Sequence, residues 1–425
     1  MSTVRIHRTT GALVIGGKRV FPIVLSNPPP LGSKAPNGRD GLAEVAEAGV
    51  SFIRTGRGDW DAGSLDQQLA VERERLDAAA AVGLHSWLYL GDVPNLPPRA
   101  AGSPPGPKEQ LLGRIVAGLQ GHPALAVYKG IDEPRNPFRG ANWVRPAGLV
   151  RALQRVKAID PDHPLAITHA PRGTVAQLTP YRPAFDLSGA DIYPISYPPG
   201  IHGGTKNRDI SVVGDVTKKT KQAAGAKPIW ITLQIAWSGI APTKKNPGVV
   251  PRFPSFHQER FMAYQAIVNG ARGLAFFGGH MTQVMRPADA EAGWNWTFWE
   301  RVLRSLVAEL TSTAINPALV APNAGVRLKA TAANVELVTR REGGFFYVIA
   351  VRRGGPTSRV TFSGLPRKRN GKPITGGQVL SEFAQEPPPP PLQPKRQAFR
   401  SVAVSNGSFR DWFAPHDVHV YRFAI

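Results

Sequence analysis

The chain predicts a (β/α)8 TIM barrel followed by a small antiparallel β-sandwich. Three observations point there. Short β-rich runs alternate with amphipathic helical stretches as far as residue 320, the pattern of a parallel sheet with crossover helices. Eight strand–helix units can be read in series, and their span suits a barrel of about 250 residues or more. From about Asn323 the helical period stops, and short alternating strands with glycine or asparagine turns take over.

The elements follow in order. A β-hairpin within residues 1–21 (12–15 and 19–21) is expected to pack on a barrel covering residues 22–320. Barrel strands are expected at 22–26, 51–55, 85–90, 124–131, 165–168, 189–193, 228–234 and 273–277. Helical patterns fall at 39–48, 64–82, 108–119, 143–158, 211–224, 255–269 and 296–310. Ser64 is a good N-cap for the second of these, and Gly83 a good residue just past its end. A doubly wound open sheet is the rival. Ser26-Asn27-Pro28-Pro29-Pro30 after the first strand argues against it, because proline has no N–H to offer a phosphate. Residues 323–425 should form the sandwich, with strands at 326–331, 334–339, 345–351, 358–362, 378–383, 400–404 and 416–423. A proline run from Pro387 to Pro391, with Pro394, reads as an extended loop between two strands. The junction at 321–325 is too short for a flexible tether, so the second domain should sit rigidly on the first.

Composition narrows the function classes. Of 425 residues, 42% are hydrophobic and 19% charged, below the charged fraction of a disordered polyampholyte. No apolar run approaches the roughly 20 residues of a membrane-spanning helix, so no membrane partner is expected. The opening MSTVRIHRTTGALVIGG lacks the continuous apolar core of a signal peptide. That leaves a protein that stays inside the cell, or an extracellular or periplasmic one whose leader has been removed. Cys 0 excludes disulfides, thiolate metal sites and a cysteine nucleophile. Lys+Arg 52 against Asp+Glu 30 gives +22, which invites a polyanion reading. The densest basic clusters (Lys218, Lys219 and Lys221; Lys244 and Lys245; Arg367, Lys368 and Arg369) carry no interleaved aromatics. A solvated basic surface therefore outweighs a nucleic-acid groove. Metal and cofactor sites are not expected: His202 is alone among glycines, and neither His-x-His nor His-Glu-x-x-His occurs.

In such a barrel the reacting groups lie at the C-terminal strand ends and in the loops beyond. That rule selects Arg54, Asp59 and Trp60 after the second strand, Tyr89 and Asp92 after the third, and Asp132 and Glu133 after the fourth. It selects His169 after the fifth, Asp191 and Tyr193 after the sixth, and Gln234 and Trp237 after the seventh. His280, Trp294 and Trp296 follow the eighth.

The fourth ending, Ile131-Asp132-Glu133-Pro134, resembles the Asn-Glu-Pro ending of the clan A glycoside hydrolases, the retaining (β/α)8 sugar-cleaving families. Other segments resemble them too: the opening Gly11-Ala-Leu-Val-Ile-Gly-Gly-Lys-Arg-Val-Phe-Pro-Ile, then Asp191-Ile-Tyr-Pro and Lys227-Pro-Ile-Trp-Ile-Thr, then Gly270-Ala-Arg-Gly-Leu-Ala-Phe-Phe. The closing His416-Asp-Val-His-Val-Tyr-Arg-Phe resembles the last strand of their accessory β-domain. The resemblance implies a carbohydrate substrate, no cofactor, and Glu133 as general acid/base, with Asp132 beside it. An acid that protonates a departing oxygen needs a raised pKa, which burial or a second nearby acid supplies. The alternative is a helix-capping turn.

One departure is plain. Where the clan places its nucleophilic glutamate, this chain has Gln234, and an amide cannot attack the anomeric carbon. Asp191 is the expected second carboxylate, with Asp59 and Asp92 next; Glu259, within a helical run, reads as structural. Gln234 should instead hydrogen-bond substrate hydroxyls. Sugar C–H faces favour aromatic platforms, so Trp237, Tyr193, Trp294, Trp296, Tyr197, Trp60 and Tyr89 are candidates, while Trp299 reads as core. Arg54, Asp59, His169 and His280 would meet substrate hydroxyls, with packing an equal alternative for His169. The function expected is a glycoside hydrolase acting on a poly- or oligosaccharide. A degenerate carbohydrate-binding barrel and a polyanion-binding protein are the alternatives.

Overall fold

The computed structural model describes residues 3–100, 102–136, 143–196, 205–368, 370–381 and 399–425. The proline run, Tyr197, His202 and Arg369 lie outside them. Strands β1 (Val4–Ile6), β2 (Leu13–Ile15) and β3 (Lys18–Val20) form an antiparallel sheet, one strand more than the hairpin expected. Eight parallel strands then close into a barrel. They are β4 (Ile23–Leu25), β5 (Phe52–Gly56), β6 (His85–Tyr89), β7 (Leu125–Asp132), β8 (Leu165–His169), β9 (Leu187–Asp191), β10 (Ile229–Gln234) and β11 (Ala271–Phe277). Each overlaps its expected run.

The helices α1 (Gly41–Glu47), α2 (Leu65–Ala81), α3 (Pro107–Leu119), α4 (Pro146–Ile159), α5 (Val175–Leu178), α6 (Val212–Ala224) and α7 (Phe256–Val268) follow successive strands. After β11 come α8 (Pro287–Glu291), α9 (Trp296–Phe298), a π-turn over Trp299–Leu303, α10 (Arg304–Thr311) and α11 (Asn316–Val320). Ser64 does sit at the N-cap of α2, but its hydroxyl turns to Asp61 instead of the helix amides. Gly83 ends that helix at φ +76°, a conformation that favours glycine. No helix among the described residues is long and apolar enough to cross a membrane.

Strand alternation separates two apolar layers. Val24, Phe52, Trp87, Val127, Ala166, Leu187, Trp230 and Ala275 face the barrel axis and pack with Val4, Leu13 and Ile15 of the N-terminal sheet, which closes one end. Ile53, Leu88, Tyr128, Ile167, Ile231, Leu233, Leu274 and Phe276 face the helices. Two residues beyond the axis set, at the open end, stand Arg54, Tyr89, Lys129, Thr168, Thr232 and Phe277. His169 has the opposite parity. It is buried against the helical layer, its ring edge-on to Tyr181 at 5.5 Å and to Phe185 at 6.3 Å. The expectation of a substrate donor is corrected here: His169 is a packing residue.

The C-terminal region holds β12 (Lys329–Ala330), β13 (Val335–Glu342), β14 (Phe345–Arg352), β15 (Ser358–Ser363), β16 (Gly376–Leu380), β17 (Arg400–Ala403), β18 (Ser408–Phe413) and β19 (Val418–Ala424). They form two antiparallel sheets, β12-β15-β18 and β13-β14-β19-β16-β17. The sheets meet across aromatic contacts such as Phe409–Phe423, with ring centroids 5.2 Å apart. Strand β18 was not expected, because its pattern is inverted: Asp411 is buried and Trp412 is 59% exposed. The buried carboxylate accepts from Arg400 at 2.6 Å and from the Tyr421 hydroxyl at 2.8 Å.

The barrel's helical layer and the five-stranded sheet share one apolar core, to which Tyr347, Ile349, Val351, Leu380, Val418 and Val420 contribute. Within it, buried Arg260 of α7 grips Glu309 of α10 with Nε–Oε2 at 2.8 Å and Nη2–Oε1 at 2.9 Å. The same guanidinium donates to the carbonyls of Val418 (3.1 Å) and Ser381 (3.3 Å). Arg353 adds a two-pronged pair with Asp215 of α6, at 2.8 and 2.9 Å.

Unfolding should therefore be one calorimetric transition; two resolved peaks would contradict the shared core. Glu309→Ala strands the Arg260 charge and should cost about 3–5 kcal/mol, read as a lower denaturant midpoint at unchanged slope. Burial lowers the His169 pKa to about 4. Between that value and the unfolded-state value near 6.5, the unfolded chain binds a proton that the folded chain refuses. Stability should then fall by up to roughly 3 kcal/mol as pH drops through that window. In His169→Phe this part of the slope should vanish, and an unchanged pH profile would refute the placement.

Candidate active site at the open end of the barrel

Strand β7 carries an axial lysine and ends in two acids. Its register against β8 shifts between Lys129 and Asp132, where the strand leaves regular pairing. Glu133 follows at φ +45°, a left-handed conformation that costs a non-glycine residue of the order of 1–3 kcal/mol. The surroundings hold it there. Its N–H donates to the Thr168 carbonyl at 2.8 Å, and its own carbonyl accepts the Asn136 N–H at 3.0 Å. The Asn136 side-chain amide also donates to the Glu133 carboxylate.

Asp191 ends β9 and is 9% exposed. Its carboxyl lies close to the Glu133 carboxyl and to the Tyr193 hydroxyl. Burial, followed by the charges of Glu133 and Asp132, pushes Asp191 well above the usual carboxylate range. Negative charges held this close oppose each other, so Asp191 keeps its proton more readily than a free carboxyl does. Burial also drives the Tyr193 phenol upward, reinforced by Asp191.

Lys129 is 2% exposed, and burial lowers its pKa. Asp132 opposes that shift from 2.5 Å. The ammonium also lies 5.1 Å from the Trp87 ring centroid and 4.7 Å from that of Tyr89. Arg54 sits 5.5 Å from the same Tyr89 ring. Tyr193 stacks on Phe277 at 5.4 Å and meets Trp237 at 6.5 Å. Beyond Trp237 opens a cleft of about 240 Å³ lined by Pro242, Thr243, Met281 and Gln283, among others. His280 is exposed, edge-on to Phe277 at 5.7 Å; desolvation and the Arg54 charge hold its imidazole below the ordinary value.

Several expected site residues belong elsewhere. Gln234 is wholly buried, and its amide is spent on one backbone unit: Oε1 accepts the Ile195 N–H at 2.7 Å and Nε2 donates to the Ile195 carbonyl at 3.0 Å. It bridges the β9 and β10 ends and does not face a ligand. Trp294 and Trp296 are each 1% exposed and pack on each other at 4.7 Å. Trp294 donates to the Asn27 carbonyl at 2.7 Å, and a side chain at Gly279 would collide with its indole. These rings are core, as is Trp299. Trp60 is buried, donating to the Tyr89 carbonyl at 3.0 Å. Asp59 is exposed and clasped by Arg57, while Asp92 pairs with Lys108 at 2.7 Å on the surface. Neither joins the carboxyl pair. Glu259 is buried within α7.

Sequence reasoning passed over Lys129 and Asn136. A lysine inside the apolar run Leu-Ala-Val-Tyr-Lys-Gly-Ile was a usable signal, since a buried ammonium needs a partner. Asn136 carried none. Among the described residues no group of three or more metal-ligating side chains is found.

No protein-family model matches the chain, and no curated protein matches it. Solved structures do. A protein described as a glycoside hydrolase aligns over 99% of this chain and 96% of its own, at 12% identity and TM-score 0.61. A family 5 glycoside hydrolase from Bacteroides vulgatus aligns over 99% and 93%, at 12% identity and TM-score 0.58. A family 27 β-L-arabinopyranosidase from Geobacillus stearothermophilus aligns over 95% and 97%, at 11% identity and TM-score 0.54. At such identities the likeness is one of fold: the chain shares the (β/α)8 barrel with C-terminal β-domain of these glycoside hydrolases.

Proposed function

We propose that this chain is a glycoside hydrolase cleaving O-glycosidic bonds of a poly- or oligosaccharide, with Glu133 as general acid/base and Asp191 as its partner. The reading is supported by one observation: carboxyls from the ends of β7 and β9 lie close together at the open end of a barrel whose fold is shared with glycoside hydrolases. A pair sharing one proton contains an acid and a base at once. At rest the proton stays on Asp191, the more deeply buried group. Transfer between the two carboxyls moves it to Glu133, which delivers it to the departing oxygen and leaves Asp191 anionic.

Hydrolysis with retention needs carboxyls about 5–5.5 Å apart and inversion about 6.5–9.5 Å. The two carboxyls lie close together, so the entering sugar must part them. The smaller movement reaches the retaining separation, with Asp191 as nucleophile. Release of β-configured product from a β-glycoside, followed by proton NMR of the first turnover, tests this. A second reading, carbohydrate binding without cleavage, is favoured by Gln234, an amide engaged with Ile195 where the clan has its nucleophile.

Activity on a panel of chromogenic glycosides and polysaccharides separates the two. Glu133→Gln and Asp191→Asn should each lower turnover by at least 100-fold while leaving the melting temperature within a few degrees. Full activity in either variant would remove that residue from the mechanism. Turnover needs the singly protonated pair, so the profile should be bell-shaped. Its alkaline limb should lie above the ordinary carboxylate range, because loss of the last shared proton is opposed by burial and by Glu133.

A further inference from the structure

The charged groups at the open end differ in whether they have a partner at contact distance. Lys129 pairs with Asp132 at 2.5 Å, and Asp191 lies beside Glu133. Arg54 is different. It stands on β5 at an axis position of the open end, partly buried, and its charge reaches both Lys129 and His280. Among the described residues it makes no ion pair and no hydrogen bond; the Tyr89 ring is its one described partner. A guanidinium keeps its charge at every accessible pH, and its planar fork of five N–H donors matches the paired oxygens of a carboxylate or sulfate. Partly desolvated donors without acceptors are unfavourable, so the site gains most from a ligand that brings an oxyanion.

We infer that Arg54 is a substrate-binding group for an oxyanion borne by the saccharide, a uronate carboxylate or a sulfate ester, so that the substrate is an acidic glycan. The inference rests on the glycan-cleaving reading above and gives its substrate a class. The +22 net charge agrees, since a positive field raises the local concentration of an acidic polymer. A neutral sugar hydroxyl could accept from some of the N–H groups but brings no opposite charge into contact with them. The aromatic wall formed by Tyr193, Phe277 and Trp237 supplies the apolar surface that any sugar needs, while Arg54 selects among sugars.

The test is a glycan array followed by calorimetric titration with the intact protein, using matched pairs. Uronate-containing polysaccharides are set against the same polymers after carboxyl reduction, and sulfated ones against their desulfated forms. The tightest binder should be acidic, and removing its charge should weaken binding at least tenfold; which pair responds identifies the oxyanion. Arg54→Gln should abolish that tenfold preference, its loss of affinity for the acidic partner exceeding its loss for the uncharged one about tenfold. Arg54→Lys, which keeps the charge and loses the fork, should retain part of it. If Arg54→Gln does not fold, Arg54→Lys decides: it keeps the +22 charge and removes only the fork, so an undiminished preference overturns the role of Arg54. Equal binding of charged and uncharged partners, or equal loss on both in Arg54→Gln, overturns the role of Arg54 and leaves glycan cleavage standing. A protein that neither binds nor cleaves any glycan overturns the glycan reading itself, and this inference with it.

Discussion

Strand parity in a closed barrel governs everything at this site. Each strand sends alternate side chains to the axis and to the helical layer, and one end of the axis is closed by Val4, Leu13 and Ile15. Polar axis residues therefore crowd at the other end, above a floor that includes Phe52, Trp87 and Trp230. The floor has an electrostatic consequence. Burial raises the carboxyl of Asp191 and lowers the ammonium of Lys129, opposite shifts with one cause. Each group then depends on a neighbour, Asp191 on Glu133 and Lys129 on Asp132, and the neighbours are consecutive in the chain. The strained backbone at Glu133 serves this division, letting adjacent residues attend to different partners.

The β-domain acts on the same end from behind. Arg260 ties α7 to Glu309 and to carbonyls of the C-terminal region, so the helix after β10 cannot shift without breaking a buried ion pair. Strand β10 in turn ends in Gln234, whose amide holds the loop after β9, the loop that carries Tyr193. Rigid packing thus reaches the aromatic wall through two short steps, and a site built on such supports keeps its geometry before a ligand arrives.

The fold was legible because its signals are periodic and repeated. Eight apolar runs separated by helix-length amphipathic stretches leave few alternatives, and each barrel strand overlaps the run expected for it. Strand β18 escaped because burying Asp411 and exposing Trp412 reverses the usual alternation. The carboxyls were legible too, since the strand-end rule selects Asp132, Glu133 and Asp191 without knowledge of any contact. Which strand-end residues turn inward was harder. His169 lies one residue beyond Thr168 and so faces the helices, a difference that rests on register alone. Trp294 and Trp296 sit in a loop, where no periodicity says whether a ring covers the core or lines a cleft.

Gln234 shows how much one buried amide decides at a strand end. An amide carries one donor and one acceptor group, and both are matched by the N–H and carbonyl of Ile195. A carboxylate in that place could accept the N–H, but its second oxygen would face a carbonyl oxygen where a bond of 3.0 Å now stands. The glutamine is therefore integral to the loop arrangement. Its neutrality also sets the local charge. The neutral amide adds no further carboxylate beside Asp191 and Glu133.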